Sequence, residues 1–323
     1  MIVNRQNLND LFQTFSVAFN LAMEEVSKRV HDNQLMEDEL VMPVPVTGAA
    51  TTHAWMNQIS SMKEWIGDRI VGDIGAGKLV ITNRKFENTI GIPRDDIEDD
   101  QYGTFTPLVR NMGAAAQAIW MDLAIEALLN NDKWADGNPF FCAGRKLSGK
   151  SGVLTNAVTT ALSAAAVEKA IADIGGWLLH GGRAASVTPR LLVVGPSLLG
   201  LAKKIVEADL VSDGTTTTSN VSTARMLKVR SDSRLVGAHA GKWYVLGEKN
   251  TIRPVAVQKR RQPKLTRMDA DTDEVVFMRD EFRYGTDARG EGFLTLPFLA
   301  YAGGQSGVAN WVDPEEPPEE TGG

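Results

Sequence analysis

Thr106 and Pro107 open a stretch in which Leu108, Met112, Ala115, Ile119, Trp120, Leu123, Ala127 and Leu128 recur at helical spacing. Thr106 can cap such a helix, Pro107 suits its first position, and Asn130, Asn131 and Asp132 supply its end. The pattern predicts a helix of about 23 residues, about 34 Å long. That is longer than the core of a small domain needs. The chain therefore has to fold around a spine, with other elements arranged along it.

The remaining composition narrows the class. At 323 residues the chain can bury a sizeable core, as two domains or as one large domain with extensions. Its formal charge of -6 comes from 40 acidic and 34 basic side chains, which gives no broad attraction for nucleic acid. A DNA partner would be enclosed or touched locally. Cys142 is the only cysteine, so an intramolecular disulfide and a cysteine-rich metal site are both excluded, and a reducing cytoplasm is expected. Met1 to Asp10 are mostly polar, so no secretory signal is expected. The uninterrupted apolar runs, such as Leu191 to Val194, fall far short of the roughly 20 residues of a membrane helix.

Leu8, Leu11, Phe12, Phe15, Phe19, Ala22 and Val26 place an apolar stripe on an N-terminal helix opening near Asn7. It serves either as an ordinary packed helix or as an arm lying on a neighbouring subunit. Pro43, Pro45 and Gly48 then predict an extended connection. After His53 a short helical turn around Trp65 leads to Gly72, Gly75 and Gly77, a tip with the freedom for a tight reversal. In the returning arm Phe86, Ile90 and Ile92 face one way, and Lys85, Glu87 and Thr89 the other. This hairpin-like excursion has too little apolar surface to fold alone and must rest on other protein.

Further on, Leu154 to Ile174 reads as an alanine-rich helix stopped by Gly175 and Gly176. Leu191 to Val194 is a buried strand that turns at Gly195 into a helix begun by Pro196. Asp213 to Asn220 reads as an exposed loop. Strands are expected at Met226 to Val229, Trp243 to Leu246, Arg253 to Gln258, Glu274 to Met278 and Phe293 to Phe298, mostly antiparallel. Lys259, Arg260, Arg261, Lys264 and Arg267 form a basic run able to meet DNA or a neighbour's acidic segment, although such runs are usually solvated surface. Asp313 to Glu320 carries five acids and three prolines and is expected to be disordered.

Patterns that could carry chemistry are few. Gly144 to Ser151 satisfies the phosphate-loop spacing, with Lys150 in the lysine position. Its context is poor, because Phe140 to Ala143 is a short leading strand and Gly152 delays the helix whose amides should hold phosphate. Gly72 to Lys78 nearly repeats the pattern, but Leu79 stands where a metal-binding hydroxyl is needed. Asp95, Asp96, Glu98, Asp99 and Asp100 favour a helix start over a metal site. The four histidines lack metal-ligand spacing, no serine sits in a nucleophile elbow, and Cys142 reads as a small buried hydrophobe. No catalytic residue, cofactor or metal is expected.

Four segments taken together closely resemble the major head subunit of Mu-like tailed bacteriophages: Trp65 to Arg69, Phe86 to Ile92, Arg94 to Asp100 and Asn250 to Pro254. Phe282 to Gly290 is similar to an arginine- and glycine-containing strand turn of the same proteins. The resemblance covers most of the chain and implies an α+β, HK97-like capsid fold. It implies an N-terminal arm over residues 1-50, an extended loop over 51-93 and a peripheral domain with the spine helix over 94-150. An axial domain over 151-250, returning peripheral strands over 251-312 and a disordered acidic tail over 313-323 follow. Intersubunit contacts are expected at Phe12, Phe15, Trp65, Asp68, Arg69, Gly72, Gly75, Gly77, Phe86, Arg94, Asp95 and Arg289.

The same resemblance implies a homo-oligomer of pentamers and hexamers, an icosahedral shell enclosing double-stranded DNA without sequence-specific binding. A scaffold, a maturation protease, a portal and a decoration protein are the implied partners. The implied location is the virion head, assembled in the host bacterial cytoplasm. Two alternatives stand beside it: a nanocompartment shell of the same fold, and a nucleotide-binding protein using Gly144 to Ser151.

Overall fold

The computed structural model describes residues 5–28, 33–46, 48–53, 79–99, 103–146, 153–179, 183–208, 210–212, 217–219 and 223–313. The helices are α1 (Arg5–Lys28), α2 (Glu37–Leu40), α3 (Arg94–Asp99), α4 (Thr106–Asn130), α5 (Ala164–Gly176), α6 (Leu199–Val206) and α7 (Glu274–Arg279). The first strands are β1 (Val41–Val44), β2 (Ala50–His53), β3 (Leu79–Thr82), β4 (Arg84–Pro93), β5 (Arg145–Lys146), β6 (Val153–Leu154), β7 (Leu178–Leu179) and β8 (Arg183–Ala184). The others are β9 (Thr188–Val194), β10 (Leu210–Ser212), β11 (Thr217–Ser219), β12 (Lys228–Ser231), β13 (Trp243–Glu248), β14 (Val255–Arg261), β15 (Leu265–Met268), β16 (Glu281–Leu294) and β17 (Ala300–Gly303).

The expected spine is α4, 25 residues long, with Pro107 in its first turn and Asn131 closing it in the left-handed conformation at φ 53°. Phe105, not Thr106, occupies the cap position. By length and composition α4 is apolar enough to cross a membrane, but half of its most apolar window is buried inside the chain. Trp120, Leu123, Ala124 and Leu128 belong to a core cluster shared with both main sheets. The helix is a core element.

Two glycines set how closely α4 is approached. A Cβ at Gly113 would lie 2.4 Å from the Phe19 carbonyl oxygen of α1, and one at Gly292 would lie 2.2 Å from the Leu123 carbonyl oxygen. Neither contact tolerates a side chain. Helix on helix and helix on sheet therefore pack at backbone distance.

One sheet runs β12-β9-β13-β17, with β12 parallel and β13 antiparallel to β9. It separates two clusters: Leu192, Val194, Trp243 and Val245 face the one holding α5 and α6, and Leu191, Val193, Tyr244 and Leu246 face the one under α4. The other sheet runs β1-β14-β16-β15, with β4 on the opposite side of β16. The fourteen-residue β16 is its axis, pairing β4 from Arg84↔Gly290 to Pro93↔Glu281 while β14 and β15 follow one another along its other edge. Only β1 runs parallel there, on β14, so the antiparallel expectation holds for the rest of this sheet.

Several local expectations change. The helix predicted from Leu154 begins only at Ala164, where the Ser163 hydroxyl accepts the Ala166 amide. The preceding segment is extended instead, with the Val158 amide bonded to the Ala302 carbonyl. Glu274 to Met278, whose β-branched residues suggested a strand, is the helix α7, introduced by Asp273 as it accepts the Ala270 amide. The strand placed at Phe293 to Phe298 stops at Leu294, and Pro297 opens a 3-10 turn. Part of the predicted loop at Asp213 to Asn220 is strand β11, paired with β10.

Candidate assembly surface

The described part of the excursion is its root. Strands β2 and β3 pair from Ala50↔Thr82 to His53↔Leu79, and residues 54–78 lie outside the described residues. Asn83, next in line, is buried, and its side-chain amide donates to the Gly48 and Ala49 carbonyls at 3.2 Å each. His53 is buried too, with its ring stacked on Phe293 at 4.8 Å and its Nε2 2.6 Å from Nε2 of Gln258. Burial pushes the imidazole below its ordinary value, so it is held neutral. Root and sheet are thus joined by stacking and a polar contact 205 residues apart in sequence.

Beside this root lies an open groove of about 340 Å³ between β3, the end of α4 and the end of β16. Leu79, Ile81, Trp134, Phe140 and Phe293 line its apolar part, and Arg84, Glu126 and Glu291 its polar part. Arg84 donates to Glu126 at 2.8 Å and to Glu291 at 2.5 Å, tying β4 to α4 and β16. These bonds raise the arginine pKa further and hold Glu126 below the usual carboxylate range. The Arg84 guanidinium also lies 5.4 Å over the Phe86 ring. Such a groove has the chemistry to receive an apolar side chain from outside.

The expected contact residues fall into three groups. Phe15 is buried against Tyr284 at 5.1 Å, edge to face, and Phe12 stacks on the same ring under the Arg267 guanidinium. Both thus take part in the chain's own packing of α1 against α4 and sheet. Trp65, Asp68, Arg69, Gly72, Gly75 and Gly77 lie outside the described residues. Among the rest, Phe86 is half-buried beneath Arg84, and Asp95 is exposed in the first turn of α3. Arg94 pairs with Glu98 at 3.3 Å, and its amide donates to Asp280. Arg289 is half-buried opposite Lys85, with Nε buried and lacking a hydrogen-bond partner.

The chemistry patterns are absorbed into structure. Around the phosphate-loop lookalike, β5 and β6 form an antiparallel pair and the next helix starts only at Ala164, so the strand-loop-helix setting of a phosphate cradle is absent among the described residues. Arg145 is fully buried, pairing with Asp136 and donating to the Pro139 carbonyl at 2.5 Å. Cys142 is buried, and burial raises its thiol pKa. No cluster of histidine, cysteine, aspartate and glutamate able to hold a metal occurs among the described residues. Sequence reasoning missed His53 and Arg84, whose partners are distant in sequence. It also missed the exposure of Phe277 and Met278.

A spine helix across a long-stranded sheet, a second sheet with its own helices and a paired-strand root beside them define an HK97-like capsid fold. The procapsid of bacteriophage JBD30 has this architecture and aligns with a TM-score of 0.53 and 24% identity over 93% of this chain and 75% of that one. The family model for the Mu-like prophage major head subunit gpT matches residues 8–160, 153–231 and 220–310, and the chain belongs to that family. It is 27% identical over 263 residues to the Mu-like prophage FluMu major head subunit of Haemophilus influenzae, covering 80% of this chain. To the major capsid protein of Escherichia phage Mu it is 24% identical over 302 residues, 92% of this chain. The matches span 63% and 74% of those relatives' lengths.

Proposed function

We propose that the chain is a shell subunit that self-assembles, through pentamers and hexamers, into an icosahedral head around double-stranded DNA. The observation that carries this is the gpT family match running from residue 8 to residue 310 on an HK97-like architecture. The excursion root supports it physically, since the sequence between its two strands carries too little apolar surface to fold alone and gains burial by meeting another copy. The chain acts by assembly and not by catalysis. Scaffold, maturation protease, portal and decoration protein are its proposed partners, and the host cytoplasm its place of assembly.

The acidic balance suits a container that encloses DNA without gripping it. Particles purified from expressing cells and treated with nuclease test the viral reading. Protected double-stranded DNA is expected when the packaging machinery is present. Particles that instead hold a defined protein cargo under those conditions would support the nanocompartment alternative.

A further inference from the structure

Phe277 and Met278 are 82% and 71% exposed, more than any other large hydrophobic among the described residues. They share the outer face of α7 with Glu274 at i, i+3 and i+4, while Val276 anchors the helix in the core below. Met268, 44% exposed at the end of β15, belongs to the same corner of the sheet. Exposed Asp271 and Glu274 give it an acidic rim, and neither forms an ion pair among the described residues. An aromatic and a thioether side chain set in a rim of carboxylates form an acidic apolar knob.

A complement lies on the same sheet. Three cations of its basic run are engaged within the chain: Lys259 by Glu37, Arg261 by Asp287, and Arg267 by Asp269 at 3.5 Å. Arg260, at the register shift near the end of β14, and Lys264, on the turn into β15, are exposed and form no ion pair among the described residues. The chain already seats guanidinium groups on rings, Arg267 over Phe12 at 4.6 Å and Arg84 over Phe86 at 5.4 Å. Within the subunit, no described ion pair or ring contact joins knob and turn.

Resting on the shell reading above, we infer that the α7 knob of one subunit docks on the Arg260 to Lys264 turn of a second copy. Asp271 and Glu274 meet the two free cations, and the Phe277 ring receives the arginine. Two different patches of one chain are used, so the contact is head-to-tail, the kind from which rings are built. Nucleic acid is a poorer occupant for the turn, because three of the five cations of the run are already paired within the chain and the chain is acidic overall.

Reciprocal charge reversal in the full chain tests this. Arg260→Glu with Lys264→Glu, or Asp271→Lys with Glu274→Lys, is expected to lower shell yield about tenfold, and the fourfold variant to recover to within about twofold of the wild type. Circular dichroism and melting of each free subunit check that the variants fold. Zero-length carbodiimide coupling in wild-type shells of mixed isotopic label supplies a readout independent of any variant: a Lys264 to Glu274 cross-link between copies is expected. The contact is refuted if either reversal assembles at wild-type yield, if a folded fourfold variant stays deficient, or if only intrachain cross-links form. It is equally refuted if reversing the turn lowers packaged DNA while shells form normally. Wild-type protein that never assembles overturns the shell reading as well, whereas wild-type shells with indifferent variants overturn this contact alone.

Discussion

Strands β9, β13 and β17 are buried along most of their length, whereas β16 alternates buried and half-buried residues over its first ten positions. The first sheet lies between two apolar clusters and reads as near-continuous hydrophobic sequence, Leu191 to Val194 and Trp243 to Leu246. The second is only half-buried along much of β16 and is tied to its neighbours by charge. Arg84 joins three elements there, Lys259 reaches Glu37 and Arg261 reaches Asp287. A sheet sealed on both sides holds its own subunit together. A sheet with a polar, half-open face keeps surface for other subunits, and the excursion root, its groove and the α7 knob all lie on or beside it.

The largest effect that could break this contrast is at Trp243, fully buried in the first sheet with its ring against Gly303. Trp243→Ala is expected to cost about 3–5 kcal/mol, read from urea unfolding of the free subunit. A loss below about 1 kcal/mol would show that the sealed sheet is not what holds the subunit.

Acid sharpens the role of the root. His53 is neutral when folded because burial lowers its pKa, while the unfolded imidazole titrates near 6.5. Its contribution is complete above that value and is lost as pH falls toward the lower folded pKa. The urea midpoint of the wild type is therefore expected to drop more between pH 7 and pH 5 than that of His53→Gln. Equal drops would remove His53 from the account.

Arg84→Ala takes away half-exposed ion pairs and is expected to change subunit stability by no more than about 1 kcal/mol, while reducing shell yield by loosening β4 beside the groove. A large shift in melting would place the network with the core instead. The smallest effect is expected at Lys150: Lys150→Ala should leave assembly intact, and calorimetry of the wild type with nucleotide and magnesium should show no saturable binding at micromolar concentration. Tight binding lost in that variant would revive the nucleotide reading.

The sequence contrast between the sheets explains what could be read in advance. The spine was legible because a proline start, an asparagine stop and an unbroken apolar stripe agree, and the buried strands because four apolar residues stand between turn signals. At α7 the β-branched pair Val275 and Val276 outweighed Asp273, which sets the helix start, so local propensity pointed the wrong way. The N-terminal helix was legible as a helix, but a stripe cannot say whose surface covers it, and Tyr284, which receives Phe12 and Phe15, lies far along the chain. His53 shows the same limit, as a lone histidine whose neighbours Gln258 and Phe293 come from the last third of the sequence. Contact residues on the excursion came from its glycine-rich tip and thin apolar surface together with the resemblance.

The most direct test of the central claim is electron microscopy of the concentrated full-length protein, with a scaffold supplied if needed, alongside mass photometry of the same samples. Closed particles with icosahedral symmetry, built of pentamers and hexamers, are the predicted result. A folded subunit that stays monomeric across all these conditions would contradict it.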